Sequence, residues 1–341
     1  FVLCMVNALL TAAGVAESVD SILELKAAQR AEHLTGIKSG LMDQGSMIFG
    51  ERGKVVHARF YDLKVDEIQS TVHLCDLPVN SAIVVANSRV VRQLAQGANA
   101  IEYALPRLGC AIALPVLRSE AKGRDLNQAD EMSWGLDATL KLLKAVPPEA
   151  SFSTLLRTFP AYAADMHKAV DRFIPGGVEA LGQTSIPLRG STLFVLAEMA
   201  RGKDFMAGLE QGDLKTCGEL MKVGHEGDAP EGDLHISDAE LDKLAEQYSG
   251  KSLSFIPGAF RAGHPRLDEL CDAMKASGAE GASLTGAGRG GCVVGLFGSS
   301  EKAKAAVKAI LNGFPDLSEQ DVFESLPVAG RGFLDAGAIL E

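Results

Sequence analysis

No Cys-x-x-Cys pair occurs in this 341-residue chain, and no His/Cys cluster has zinc-binding spacing. The six cysteines, Cys4, Cys75, Cys110, Cys217, Cys271 and Cys292, are scattered. They read as buried reduced thiols and point to a cytosolic protein. Also missing is any run of Lys and Arg, and the net charge is -11. A phosphate backbone would be repelled, which argues against a nucleic-acid partner. The apolar opening "FVLCMVNALLTAAGVA" has no basic n-region and no initiator Met, and Asn7 interrupts it. It is short for a bilayer span, so no membrane partner is expected. The stretch predicts a buried helix over residues 1–16, with the true N-terminus upstream of Phe1. No internal repeat is found.

What is present is ordinary for a globular protein: 47% hydrophobic and 23% charged residues, and length enough for two domains. "SILE" at Ser21–Glu24 has capping-box spacing before a helix expected to stop near Gly36. "KVVHARFYDL" has strand character, and "SAIVVANS" reads as a clear apolar strand. In "AIEYALPRLGCAIALPVL" the helical pattern is punctuated by Pro106 and Pro115. Residues 145–190 are dotted with Pro and Gly, and two helical segments follow. Residues 226–236 read as an acidic, solvated loop. A second capping box is expected at Ser237–Glu240. The last 80 or so residues alternate helix, strand, strand, helix, strand. This order predicts an α+β sandwich, with helices on one face of a mostly antiparallel sheet.

The segment "LTGAGRGGCVVGLF", Leu284 to Phe297, contains Gly286, Gly288 and Gly291 at G-x-G-x-x-G spacing. A dinucleotide site needs a helix directly after the glycines, so that the helix N-terminus meets the pyrophosphate. Here a β-branched strand follows, and the helix begins only near Ser299. The glycines therefore join two strands. Four of them within six residues exceed what a turn needs and predict close approach to a ligand or a neighbouring loop.

The same segment resembles the third motif of the GHMP small-molecule kinases. Further motifs resemble the galactokinase branch of that family: A-E-H at Ala31–His33, G-L-M-D-Q at Gly40–Gln44, the strand ending in Asn87-Ser88, and "EYALPRLGC" with Glu102, Tyr103, Arg107 and Cys110. "GDLKTCGELMKVGHEGD" with His225, "HPRLDEL" and "VFESLPVAGRGFLDAGAIL" extend the likeness over nearly the whole chain. The resemblance implies a two-domain GHMP kinase fold, α+β, with its N-terminal domain truncated. Residues 1–150 would be the remainder of that domain, and 151–341 the C-terminal domain. The implied activity is transfer of the γ-phosphate of ATP to the anomeric hydroxyl of galactose, by a monomer, with Mg2+. Relatives of the sugar (N-acetylgalactosamine, arabinose, galacturonate) remain open, as does an inactive sugar- and nucleotide-sensing regulator.

By the same resemblance, Asp43 is the catalytic base. A sugar hydroxyl is a poor nucleophile, and a nearby carboxylate can orient it and accept its proton. Glu32 is the implied Mg2+ ligand, with His33 beside it a packed helix residue. Gly40 and Tyr103 belong to the sugar pocket, and Gly286, Gly288, Gly290 and Gly291 to the nucleotide side. Two family parts are missing: the first motif with its catalytic Arg, and the serine-rich phosphate loop. The 341 residues alone are therefore expected to bind ATP poorly and not to turn over. Arg289 replaces an aromatic or small residue usual in the glycine loop, Arg266 stands where an acid is usual, and residues 226–262 are longer than in typical members.

Overall fold

The structure, a computed structural model, describes residues 2–15, 18–34, 40–59, 65–91, 97–123, 134–328 and 330. The chain forms two compact units, Phe1–Val79 with Leu326–Glu341, and Asn80–Ser325. Residue 150 falls inside the second unit.

The first unit contains α1 (Val2–Ala12), α2 (Ser21–Leu34), α3 (Met42–Phe49), β1 (Lys54–His57), α4 (Val65–Ile68) and β2 (His73–Asp76). Strands β1 and β2 pair antiparallel, from Lys54 opposite Asp76 to His57 opposite His73. Leu25, Leu41 and Ile68 form its core, and Ile48 and Phe49 of α3 pack against them. The returning chain is held by backbone bonds from Gly53 N to Pro327 O (3.0 Å) and from Gly330 N to Gly50 O (2.8 Å). Two expectations are corrected here. Helix α1 is not a buried helix: only Leu3 is buried, and Leu9 is 65% exposed. The start of α2 is closed by Asp20, whose Oδ1 accepts from Ile22 N at 3.1 Å, while Glu24 is buried in the unit. Capping-box spacing is local information, and burial of Glu24 is decided by tertiary packing. The expected stop near Gly36 lies outside the described residues.

The second unit runs β3 (Ala82–Asn87), α5 (Gly97–Gly123), α6 (Gly135–Leu143), β4 (Glu149–Ser151), α7 (Phe152–Thr158), α8 (Ala163–Phe173), α9 (Gly177–Leu181) and β5 (Ser185–Pro187). It continues with α10 (Arg189–Glu210), α11 (Leu214–Gly227), α12 (Asp238–Gln247), α13 (Pro265–Ala276), β6 (Gly281–Leu284), β7 (Cys292–Phe297), α14 (Ser300–Gly313) and β8 (Val322–Ser325). A four-stranded sheet has the order β6-β7-β3-β8, with each neighbouring pair antiparallel. Alternation in β3 turns Ala82, Val84 and Ala86 inward against Leu267 and Met274 of α13 and Ala306 and Ile310 of α14. This is the helix-on-sheet sandwich expected for the end of the chain. Its central strand β3 comes from more than 200 residues upstream of its partner β7.

Helix α5 corrects another expectation, because it runs unbroken through Pro106 and Pro115. Each interior proline costs about 3 kcal/mol. Burial of Leu108, Ile112, Leu114 and Leu117 on the same helix outweighs that at about 2 kcal/mol each. By length and composition its Ala100–Gly123 stretch could cross a membrane, yet 61% of the apolar window is buried within the protein, as in a core helix. The capping box at Ser237–Glu240 is present as expected: Ser237 Oγ accepts from Glu240 N, and Glu240 Oε2 accepts from Ser237 N. The 226–236 segment is less solvated than its acidity suggests, since Leu234 and Ile236 are buried.

Candidate active site

In the first unit, the residues picked out by motif lie on α2, on α3 and on the approach to α3. Glu32 sits in the last turn of α2, and Asp43 in the first turn of α3 with its side chain exposed. Gln44 is buried, and its Nε2 donates to Glu32 Oε1 at 2.6 Å. That bond fixes the start of α3 against the end of α2 and so sets where the neighbouring Asp43 stands. Gly40 is exposed just before α3, and a Cβ there would meet nothing within 4 Å. Packing therefore does not require glycine at this position.

In the second unit, Tyr103 and Arg107 are one turn apart on α5. Arg107 Nη2 donates to Tyr103 Oη at 2.6 Å, and its guanidinium lies 4.3 Å from the ring centroid. The phenol is thus oriented by a neighbour whose charge rests on the ring face. The 285–291 loop between β6 and β7 has positive φ at Gly286, Gly288, Arg289, Gly290 and Gly291. A Cβ on Gly288 would sit 1.9 Å from Ala262 O, and one on Gly290 would sit 2.5 Å from Val90 O. Arg289 N donates to Ala262 O at 2.6 Å. At these two glycines the close approach is to neighbouring protein segments. Strand β7 follows the loop directly, so the dinucleotide geometry is absent, as the sequence context predicts.

An open cleft of about 660 Å³ lies beside this loop, with Glu102, Glu149, His235, Arg261, His264 and Arg289 among its lining. Sequence reasoning did not pick out Arg261, Glu149 or His235. They come from separate segments, and only the fold brings them together. A smaller hollow, sharing Glu102, Arg261 and Arg289, reaches Tyr103. Arg266, where the family pattern usually has an acid, donates from Nη2 to both Asp316 oxygens, Oδ2 at 2.6 Å and Oδ1 at 2.7 Å, and lies 4.6 Å from the Phe314 ring, so it ties α13 to the segment after α14.

The His225, Asp268 and Cys271 group lies between α11 and α13, with His225 Nε2 3.2 Å from Asp268 Oδ1 and Nδ1 3.9 Å from Cys271 Sγ. Burial pushes the Cys271 thiol up to about 12 and lowers the His225 imidazole. A fully buried thiol so hard to ionise is not a nucleophile, and the group serves as packing between helices. Nearby, burial and then the Glu198 carboxylate push the Asp228 carboxyl up to about 8. The folded protein keeps this proton where the unfolded chain has lost it, so the stability contributed is complete below the ordinary value of 3.8 and is lost as pH rises through about 8. Thermal unfolding of an Asp228→Asn variant should therefore fall less than wild type between about pH 5 and about pH 9. Parallel pH profiles for the two proteins would contradict the assignment.

Residues 205–316 match the family described as GHMP kinases C terminal. Galactokinase from Streptomyces coelicolor is 26% identical over 305 residues, which are 89% of this chain and 58% of that protein. Galactokinase from Bos taurus is 26% identical over 273 residues, 80% of this chain and 48% of that protein. The chain thus spans about half the length of the curated relatives it matches. Among solved structures, Lactococcus lactis galactokinase complexed with galactose matches with a TM-score of 0.50 at 18% identity, covering 92% of this chain and 61% of that one. The fold is therefore that of the GHMP kinases, residues 205–316 match the C-terminal model of that family, and the relatives matched in sequence are galactokinases.

Proposed function

We propose that the protein is an ATP-dependent sugar 1-kinase of galactokinase type, transferring the γ-phosphate of ATP to the anomeric hydroxyl of galactose in the cytoplasm, as a monomer. The observation that carries this reading is the Glu32–Gln44 bond, which sets the exposed Asp43 in the first turn of α3 beside the end of α2. Galactokinase relatives along most of the chain supply the reaction class. Phosphoryl transfer asks little covalent chemistry of a protein and a great deal of positioning. Asp43 is assigned to orient the anomeric hydroxyl and take its proton. Gly40 and Tyr103 are assigned to the sugar, and the glycine loop with Gly286, Gly288, Gly290 and Gly291 to the wall beside the nucleotide phosphates.

Magnesium in such sites is commonly held by one or two carboxylates together with substrate phosphates and water. Among the described residues no three His, Cys, Asp or Glu side chains gather as a metal cage. Glu32 fits this sparse mode, as one carboxylate held in place by the Gln44 amide. When bound, the ion would neutralise charge on the ATP phosphates. The test is the position of the new phosphate. The full gene product is incubated with galactose and ATP, and the product is read by phosphorus NMR. Coupling of the phosphorus to the anomeric proton is expected; a phosphate on any other hydroxyl would overturn the assignment.

A further inference from the structure

Four non-glycine residues among those described have positive φ: Asn80, Arg89, Arg261 and Arg289. For an arginine this conformation is uncommon, and it tends to persist where surrounding structure or function demands it. Asn80 is a residue type that tolerates the left-handed region in a turn. Arg89 has a visible reason. Its guanidinium forks onto Asp321, with Nε 2.9 Å from Oδ1 and Nη2 2.6 Å from Oδ2, and holds that carboxyl well below its usual range.

Arg261 and Arg289 have no such partner. Their loops are joined at the backbone by the bond from Arg289 N to Ala262 O, and both side chains line the cleft beside the glycine loop. Both also line the smaller hollow that reaches Tyr103. Arg261 uses its Nε on Gly232 O at 2.7 Å, and its two terminal nitrogens have no partner among the described residues. Among the described residues the Arg289 side chain is paired with Glu102 alone, at 3.5 Å, and that carboxylate is 67% exposed. Such a loose surface pair is worth little and is easily exchanged for a better acceptor. The other acid of the cleft, Glu149, is already occupied by His235 Nδ1 at 2.9 Å.

We propose that Arg261 and Arg289 form an oxyanion-recognising subsite, which takes a carboxylate or phosphate group of the small molecule bound in this cleft. Arg89 on Asp321 shows the bidentate geometry that a guanidinium adopts when an oxyanion is supplied. The two strained arginines present the same chemistry to the cleft, beside the tyrosine assigned to the sugar. A sugar acid would offer a carboxylate there, and a nucleotide would offer a phosphate. The sugar-kinase reading enters only in the choice of probes, and the readout is binding without turnover.

Calorimetry on the full gene product compares D-galacturonate with D-galactose, and ATP with adenosine, so each pair differs in its anionic group. Arg261→Asn and Arg289→Asn are the variants, because asparagine tolerates positive φ and should keep both loops folded. Arg261→Lys and Arg289→Lys repeat the comparison with charge but without the fork, should either asparagine variant melt early. Loss of a charged hydrogen bond predicts about tenfold or more weaker binding of the anionic member of one pair, with the neutral member unchanged. Loss of the galacturonate preference identifies the group as a sugar carboxylate, and loss of the ATP preference as a nucleotide phosphate. Wild type that prefers neither anion, or preferences that survive both substitutions, would overturn the subsite. Failure of phosphoryl transfer with these preferences intact would count against the kinase reading alone.

Discussion

Replacing Asp43 by alanine is expected to lower kcat by about 10² to 10⁴, the usual contribution of a positioned general base. That loss corresponds to roughly 3–5 kcal/mol in the barrier. The side chain is exposed in the first turn of α3, so its removal should change stability by only about 0.5 kcal/mol. The two magnitudes are far enough apart for a single comparison to decide. Circular dichroism and thermal unfolding should match wild type while turnover collapses, with KM for ATP little changed. An Asp43→Ala enzyme of near-normal kcat would remove the aspartate from the chemistry.

The second large effect is expected at Gly288. Its φ is +68°, and a Cβ there would lie 1.9 Å from Ala262 O, which belongs to the backbone. A left-handed alanine alone costs about 1–2 kcal/mol. Relief of the overlap must also pull the loop from residue 262 and break the bond from Arg289 N to Ala262 O, at about 1 kcal/mol more. Gly288→Ala should therefore lose about 3 kcal/mol or more in denaturant unfolding. Gly278 provides the control: its φ is +93° and a Cβ there meets nothing within 4 Å, so Gly278→Ala pays only the conformational cost. Equal losses at the two glycines would contradict a close approach at 288. Hydrogen exchange should locate the damage at residues 260–263 in Gly288→Ala alone.

Local chemistry in this chain was legible where the neighbours in space are also neighbours in sequence. The Ser237 capping box forms because its partner is three residues away. The 285–291 glycines were read as a strand-to-strand loop because "CVVGLF" behind them has strand character whatever lies around it, and β7 is there. Long-range partners defeated the same reasoning. Nothing in "SAIVVANS" announces that β3 will lie between β7 and β8. At Ser21 the spacing S-x-x-E was satisfied, yet Asp20 closes the helix and Glu24 is buried. Pro106 and Pro115 carry a strong local breaking signal that the buried face of α5 overrides.

The site divides along the same line. Glu32, Gly40, Asp43 and Tyr103 were found through motif resemblance, and the Gln44 bond to Glu32 gives the first unit's residues a common geometry. Arg261, Glu149 and His235 were missed because they come together only through folding of the 226–265 segment against α5 and β4. The positive φ of Arg261 and Arg289 is a backbone property with no signature in composition or periodicity. Residues 226–236 read in sequence as an acidic, solvated loop, and 226–262 as a stretch longer than in typical members; in the fold, part of the stretch is a wall of the cleft.

The most direct test of the sugar-kinase reading is release of ADP by the full gene product, offered ATP and Mg2+ with a panel of free sugars, beside calorimetric binding of the same ligands. Sugar-dependent ADP release, greatest with galactose or a close relative and lost in Asp43→Ala, is the expected result. Binding of sugar and ATP with no ADP formed from any sugar would contradict it, and would make the protein a ligand sensor built on a kinase fold.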